Sequence, residues 1–524
     1  MQTEQNFVIK RIIKNALVGW LTKIIIAVSG VFLTPILISG LGKYEYGIWT
    51  LVGQIISFLL IADFGVASSV GRLISKYDAL ESLSDKTKVY STALLIFFVT
   101  MLFLSAIVFL TINYMPQWLG VSSNYFEVTI HILLVMTANL IVAFPLRVGR
   151  GLLQAAHRFD YIDIAATLAK LSQVLIVCIL FYQENISLVT LAWTMAIINM
   201  VTELSIFLRS KKIYKDISFN AKSIDIGSMK EVFSLGGASV LKSISGVMSQ
   251  QGMVFLVGIL LGVLYVPLFS IPLLLLVIIG TLIGKIGTSF MPAASAYDSL
   301  SEIKKILNLS VYGVRYTFML GLLVSVYIFF YGEMLLTFWL PEKEVSKADL
   351  HIMYLVLQVV IIPFVLARSN QGNRVILSST GQHWLVSNIL FLSSILSILI
   401  TILLLHVTDL GIYSFAVGWA LKLFFGDYLL ILYYLFNKYS VNVLEYLYKA
   451  YFKPICAIIP VFVITILLNN TFESDIFMWL LLKSGLFFLV SLVFIYSICI
   501  EESHIDLLVP HKLRPRCWLK NKQY

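Results

Sequence analysis

Charge is what this sequence most conspicuously lacks. Only 13% of its 524 residues are Asp, Glu, Lys or Arg, about half the roughly 25% of a soluble domain. With 59% hydrophobic residues and a mean hydropathy of +0.92, the chain reads as a polytopic membrane protein rather than a string of soluble domains. Cysteine is scarce too: Cys178, Cys456 and Cys499 lie in apolar stretches and Cys517 in the C-terminal tail. That distribution excludes a disulfide framework and a paired-cysteine metal site. Acidic residues number 28 against 38 basic ones, and in a membrane protein such an excess reports topology rather than nucleic-acid binding.

Catalytic motifs are missing as well. No HExxH or GxSxG segment occurs, and GTLIGKI (280–286) has neither the spacing of a phosphate-binding loop nor a Ser or Thr after its lysine. The seven histidines are scattered, and the loops on one side are too short to form a platform for acid–base chemistry. These absences argue against an enzyme and imply no cofactor and no metal.

What is present is a succession of about fourteen apolar segments, each long enough for a membrane helix and too long for a barrel strand. The basic start (Lys10, Arg11, Lys14) before the first of them reads as an uncleaved first helix. Counting Lys and Arg in alternate loops gives about 28 on one side and 3 (Lys43, Lys343, Lys347) on the other. The positive-inside rule then predicts both termini in the cytoplasm. LGKYEYGIW (41–49) and LGVLYVPLF (261–269) share an LG and an aromatic-rich turn. Their offset suggests two halves with a site between them. The expected fold is all-α: two pseudo-symmetric helix bundles around a central cavity, plus two C-terminal helices. Its expected limits are a first bundle over 1–208, a cytoplasmic linker over 209–232, a second bundle over 233–433, and two further helices with a basic tail over 434–524.

Seven bases fall inside spans: Lys23, Lys170, Lys242, Lys285, Arg315, Lys422 and Lys483. Snorkelling accounts for those near a span end, but Lys23, Lys242 and Lys422 lie deeper. Each costs about 3 kcal/mol at a helix centre, so three approach the whole net stability of a domain. The buried acids Asp63, Glu203 and Asp427 are too few to neutralise seven bases. The reading that follows is a wet, cationic cavity, with Lys23, Lys242, Lys422, Arg315, Lys285 and Lys170 as candidate substrate-binding residues. Snorkelling combined with ion pairing is the competing account. In the seventh span Gly236, Ser239, Lys242, Gly246 and Ser249 recur at helical spacing and share one face. Polar residues at depth, among them Gln54, Asn139 and Asn199, are candidates for sugar hydroxyls or for interhelical bonds.

The segment from Leu41 to Tyr77, with Leu41, Gly42, Tyr46, Gly47 and Trp49, then ADFG (62–65) and Arg72, resembles the Wzx-type polysaccharide flippase family. GLLQAAHRFD (151–160) is similar to that family's GLLQ…RF segment. The resemblance implies the multidrug/oligosaccharidyl-lipid/polysaccharide exporter fold. It also implies outward flipping of undecaprenyl-pyrophosphate-linked oligosaccharide for O antigen or capsule in a bacterial inner membrane, with a polymerase and a chain-length regulator as further partners. Under it Asp63 is a structural or cation-coupling acid, with Glu203 and Asp427 as further coupling candidates. A peptidoglycan-precursor flippase and a multidrug antiporter share the fold, and a polytopic glycan polymerase or ligase is the reading from another class.

Overall fold

The computed structural model describes residues 2–288, 290–471 and 482–491, and their regular structure is helical throughout. The side chains of residues 2–17 and of Gly236, Ser239 and Lys285 lie outside the described residues. Helices of eight residues or more begin with α1 (Gln2–Leu59), α2 (Val66–Ala79), α3 (Leu83–Thr111), α4 (Phe126–Ala143), α5 (Val148–Ala155), α6 (Phe159–Tyr182) and α7 (Leu188–Ile213). Then come α8 (Ile226–Leu261), α9 (Tyr265–Thr288), α10 (Met291–Ser299), α11 (Ile303–Trp339), α12 (Lys347–Ser369) and α13 (His383–Val407). The last are α14 (Tyr413–Leu421), α15 (Ile431–Tyr439), α16 (Lys453–Thr471) and α17 (Leu482–Ser491).

Among the described residues, ten helical stretches are long and apolar enough to cross a membrane. Two of them, Val18–Ala79 and Lys347–Val407, run to 62 and 61 residues. At about 1.5 Å per residue each is long enough for two crossings. The shorter apolar helices Tyr265–Thr281 and Leu482–Ser491 fall within two further expected spans, a count roughly consistent with the fourteen expected from the sequence.

The repeated LG turn has a backbone reason. Gly42 (φ 76, ψ 166) breaks α1 in two, and Gly262 (φ 105, ψ 165) ends α8 in nearly the same conformation. Only glycine takes up that region without strain. Both glycines lie on the face opposite the basic loops, called here the far face. There the bundles are packed together. One hydrophobic core joins Leu33, Ile48 and Leu51 of α1 to Val257, Phe269 and Phe364 of α8, α9 and α12. A Cβ at Gly47 would lie 2.6 Å from the Val263 carbonyl oxygen, so only a small residue admits the neighbouring backbone. Trp339 Nε1 donates to the Val31 carbonyl (2.9 Å), and Lys43 pairs with Asp349 (2.6 Å), each bond joining the two bundles.

Towards the basic loops the core divides. Val66, Val70, Phe97, Phe144 and Leu152 form a cluster in the first bundle, while Ile306, Val314, Ile376, Leu435 and Tyr446 form a separate one in the second. The bundles therefore share one core at the far face, while towards the basic face each has a core of its own. Helix α8 crosses that divide. Its N-cap, Asp225, accepts from Ser228 N (2.7 Å), and Ser69 donates to the Val232 carbonyl (2.9 Å), docking the helix start on the first bundle. Further along, Ser245 bonds Ser394 (3.0 Å) and Ser249 accepts from Trp419 Nε1 (3.0 Å), so the rest belongs to the second. The C-terminal α16 and α17 pack on α11 through Met319, Leu323, Val461 and Phe487.

Lys43 and Asp349 are mostly covered, so opposing like charges there should weaken far-face closure by about 1 kcal/mol, roughly fivefold in the open population. The expected outcome is that Lys43→Asp raises labelling of a cysteine placed at buried Ile48 by a membrane-impermeant thiol reagent. Pairing Lys43→Asp with Asp349→Lys should restore protection.

Candidate functional site

Charged side chains gather at one level in each bundle. In the first, α4 gives way to a single tight turn at Pro145–Arg147 before α5, because proline has no N–H to continue the helix. That turn brings Arg147 and Arg150 towards α7. Arg150 grips Glu203 with two nitrogens, Nε at 3.0 Å from Oε2 and NH2 at 2.7 Å from Oε1. Glu203 is 2% exposed, and the bidentate fork is what makes a buried carboxylate tolerable. Arg147 NH1 lies 3.3 Å from Asp63. Asp63 precedes two left-handed residues, Phe64 and Gly65, and its other oxygen accepts from Ala67 N (3.3 Å) at the start of α2. The ADFG segment thus caps a helix and anchors an arginine at once. Beyond it α2 and α5 cross closely, since a Cβ at Gly151 would come within 2.6 Å of the Ala67 carbonyl oxygen.

These groups border a cavity of about 480 Å³, with Lys170, Gln173, Asn139 and Asn199 also in its wall. Lys170 donates to Gln173 (2.9 Å). Asn199 donates to Asn139 (2.6 Å), which donates to the Ala196 carbonyl (2.7 Å), so both make interhelical bonds.

The second bundle repeats the plan. Arg374 lies 3.5 Å from Asp427, at the same chain separation, 53 residues, as Arg150 from Glu203. Asp427 sits in a stretch of wide helical turns, Lys422–Leu430, of the kind that leaves carbonyls unbonded. Buried Asn370 satisfies two of them, donating to the Asp427 and Tyr428 carbonyls at 3.0 and 3.1 Å. Lys422 is 7% exposed and donates to Asp427 at 2.9 Å. It is therefore an ion-paired lysine, not the open cavity lysine expected from its depth. Arg368 lies over the Phe364 ring at 4.9 Å.

Lys23 and Lys242 differ. Both are exposed, and among the described residues neither has a hydrogen bond or ion pair. Lys23 stands two turns before Gly30 and so on the same face of α1. Gly30 meets Leu274 of α9, in the other bundle. Lys23 therefore shares the α1 face that, at Gly30, meets the second bundle. On α8, Lys242 is within electrostatic reach of Arg374. Gly246, one turn on, has open space beside it. The predicted α8 stripe is thus open at Lys242 and Gly246 and closed at Ser249. Arg315 is not brought to this region: it is 1% exposed and donates to the Lys449 carbonyl (2.7 Å). The predicted Lys285 side chain lies outside the described residues.

Residues 10–297 match the family described as Polysaccharide biosynthesis protein. The chain belongs to that family. No curated relative matches it by sequence. In structure this polysaccharide biosynthesis protein is similar to a multidrug resistance MATE family transporter of the MOP superfamily. The inward-facing form of that transporter has a TM-score of 0.70 at 14% identity, over 81% of this chain and 98% of the other. An outward-facing MATE transporter scores 0.61 at 14% identity, over 82% and 96%. The lipid II flippase MurJ in an inward closed conformation scores 0.69 at 14% identity, over 95% of this chain and 100% of the other. At that identity the likeness establishes the fold alone, an all-helical, multi-span architecture that these proteins share.

Arg147, Arg150, Arg368 and Arg374 were not among the predicted site residues. They lie at span ends and were counted with the basic loops. The recurring Arg-to-acid separation was the signal that could have found them.

Removing Arg150 alone should leave Glu203 buried with a weakened partner. Arg150→Gln is expected to cost about 3 kcal/mol of stability, read as a lowered Tm in detergent. Arg150→Gln with Glu203→Gln should recover most of it.

Proposed function

We propose that this protein flips undecaprenyl-pyrophosphate-linked oligosaccharide from the inner to the outer leaflet of a bacterial cytoplasmic membrane, for O-antigen or capsular polysaccharide assembly. The observation that carries the reading is the pair of exposed ammonium groups Lys23 and Lys242, on the first helix of each bundle, with no hydrogen bond or ion pair among the described residues. A free charge at membrane depth costs about 3 kcal/mol unless water or an anion meets it. A pyrophosphate supplies such an anion, while its lipid tail stays in the bilayer. Membership of a polysaccharide biosynthesis family and the shared fold with a lipid II flippase support the same cargo class.

On this reading the basic face is cytoplasmic, and residues 1–208 and 233–433 form the two moving bundles, joined by the 209–232 linker. The substrate enters at the basic face and leaves after the far face opens and the basic face closes. Arg147, Arg150 and Lys170 line a neighbouring pocket wide enough for sugars. A drug antiporter for cationic compounds fits less well, because the unpaired charges are basic. An inside-negative potential assists outward movement of an anion by about 2.3 kcal/mol per charge per 100 mV, so no nucleotide is needed.

In a deletion strain, lipid-linked glycan should accumulate on the cytoplasmic leaflet. The wild-type gene should restore surface glycan, whereas Lys23→Ala and Lys242→Ala should insert normally and restore less than about a tenth of it. Full surface glycan from both variants would overturn the cationic-site reading. In proteoliposomes, flipping should accelerate with an imposed potential that drives anions in the export direction. Rates indifferent to voltage would remove the driving-force part.

A further inference from the structure

Arg368 and Arg374 leave donors unused in a place where that is costly. Among the described residues Arg368 donates no hydrogen bond, and its buried Nε meets no acceptor. The buried Nε of Arg374 lacks one too. Arg374 otherwise reaches Asp427 at 3.5 Å and the Ala367 carbonyl at 3.2 Å. A guanidinium keeps its charge in any protein setting, and buried N–H groups are as a rule bonded. The equivalent pair in the first bundle, Arg150 with Glu203, has its Nε filled at 3.0 Å.

Asp427 does not complete the second set: its Oδ2 accepts from Lys422 at 2.9 Å, its buried Oδ1 accepts no hydrogen bond, and among the described residues three cations, Arg368, Arg374 and Lys422, share this carboxylate. Lys242 adds to the positive field through Arg374. A water would satisfy one N–H and leave the excess charge untouched. On the side of α9, Gly280 lets Arg368 pack close: a Cβ there would stand 2.7 Å from Arg368 Nε and 2.5 Å from the Phe364 ring.

We propose that Arg368, Arg374 and Lys422 form a seat for a small anion of chloride or phosphate size inside the second bundle. The seat is built from α12 and the wide-turn stretch, with Lys242 of α8 within electrostatic reach of Arg374. The anion completes the hydrogen bonds of both arginines and, with Asp427, neutralises most of the cluster. It ties the end of α12 to the wide-turn stretch. A pyrophosphate headgroup offers the same chemistry, so the test must tell a free anion from a lipid one. The seat does not depend on the transport reading, which can fail in the export assay while this proposal stands.

The full chain in phosphatidylcholine nanodiscs without polyprenyl lipid is titrated with chloride or inorganic phosphate, gluconate holding the ionic strength constant, while Tm is followed. A saturable rise in Tm is expected with either anion. Arg368→Gln should weaken apparent binding about 10- to 100-fold, and Lys347→Gln, an exposed control at the opposite end of α12, should leave it unchanged. Asp427→Asn, which removes the competing carboxylate, should tighten it; this variant, with Arg374→Gln, keeps the test decisive if Arg368→Gln fails to fold. No saturable shift, a shift unaffected by the arginine variants, or a response to undecaprenyl pyrophosphate alone would overturn the free-anion seat.

Discussion

The cost of holding an ion away from water governs this structure. A charge at membrane depth costs about 3 kcal/mol even by insertion scales, and a buried carboxylate stripped of its partner costs as much again. The protein meets that constraint in two ways. Glu203 and Asp427 are gripped by arginines and, for Asp427, by a lysine. Lys23 and Lys242 are left exposed. The first solution builds each bundle, and the second keeps the charge out of the protein interior.

The division of the hydrophobic core follows the same logic. Where the walls are apolar, as around Ile48, Leu51, Val257 and Phe269, the bundles fuse into one core. Where charges line the walls they cannot fuse without desolvating those charges, and the core splits into two clusters. One shared core at the far face and two separate ones towards the basic face therefore follow from the placement of polar residues along α1 and α8. Helix α8 is docked at its start on one bundle and through Ser245 and Ser249 on the other. A change in the angle between the bundles must bend or release it. The glycines at 236 and 237 lie between those two docks, where the helix has least side-chain bulk to resist bending.

Much of this was legible in the sequence because it rests on local rules. Apolar length gave the crossings, and the LG pair gave the repeat, since a positive φ at Gly42 and Gly262 can be met only by glycine. The exposure of Lys23 and Lys242 followed from the impossibility of neutralising them. Lys422 was misjudged because depth along a helix does not reveal direction around it. Its acid is five residues ahead, and only the wide turns of Lys422–Leu430 bring the two groups together. Arg315 was misjudged for a similar reason: its acceptor is a backbone carbonyl, at Lys449, which no side-chain pattern announces. The arginines at the ends of α4 and α12 were hidden by their usefulness as topology markers, because a basic residue near a loop satisfies the positive-inside rule whether or not its side chain turns inward.

The two bundles share a skeleton yet do not carry the same charge. In the first, Arg147 and Arg150 meet Asp63 and Glu203, two against two, with Lys170 bonded to a neutral glutamine. In the second, Arg368, Arg374 and Lys422 meet Asp427 alone. Like charges held together in a low-dielectric interior repel, so on the proposed anion seat the contact between α12 and the wide-turn stretch is loosened when the seat is empty and tightened when it is filled. Charge then sets the internal rigidity of the second bundle, whereas the arginines of the first are matched by acids of their own.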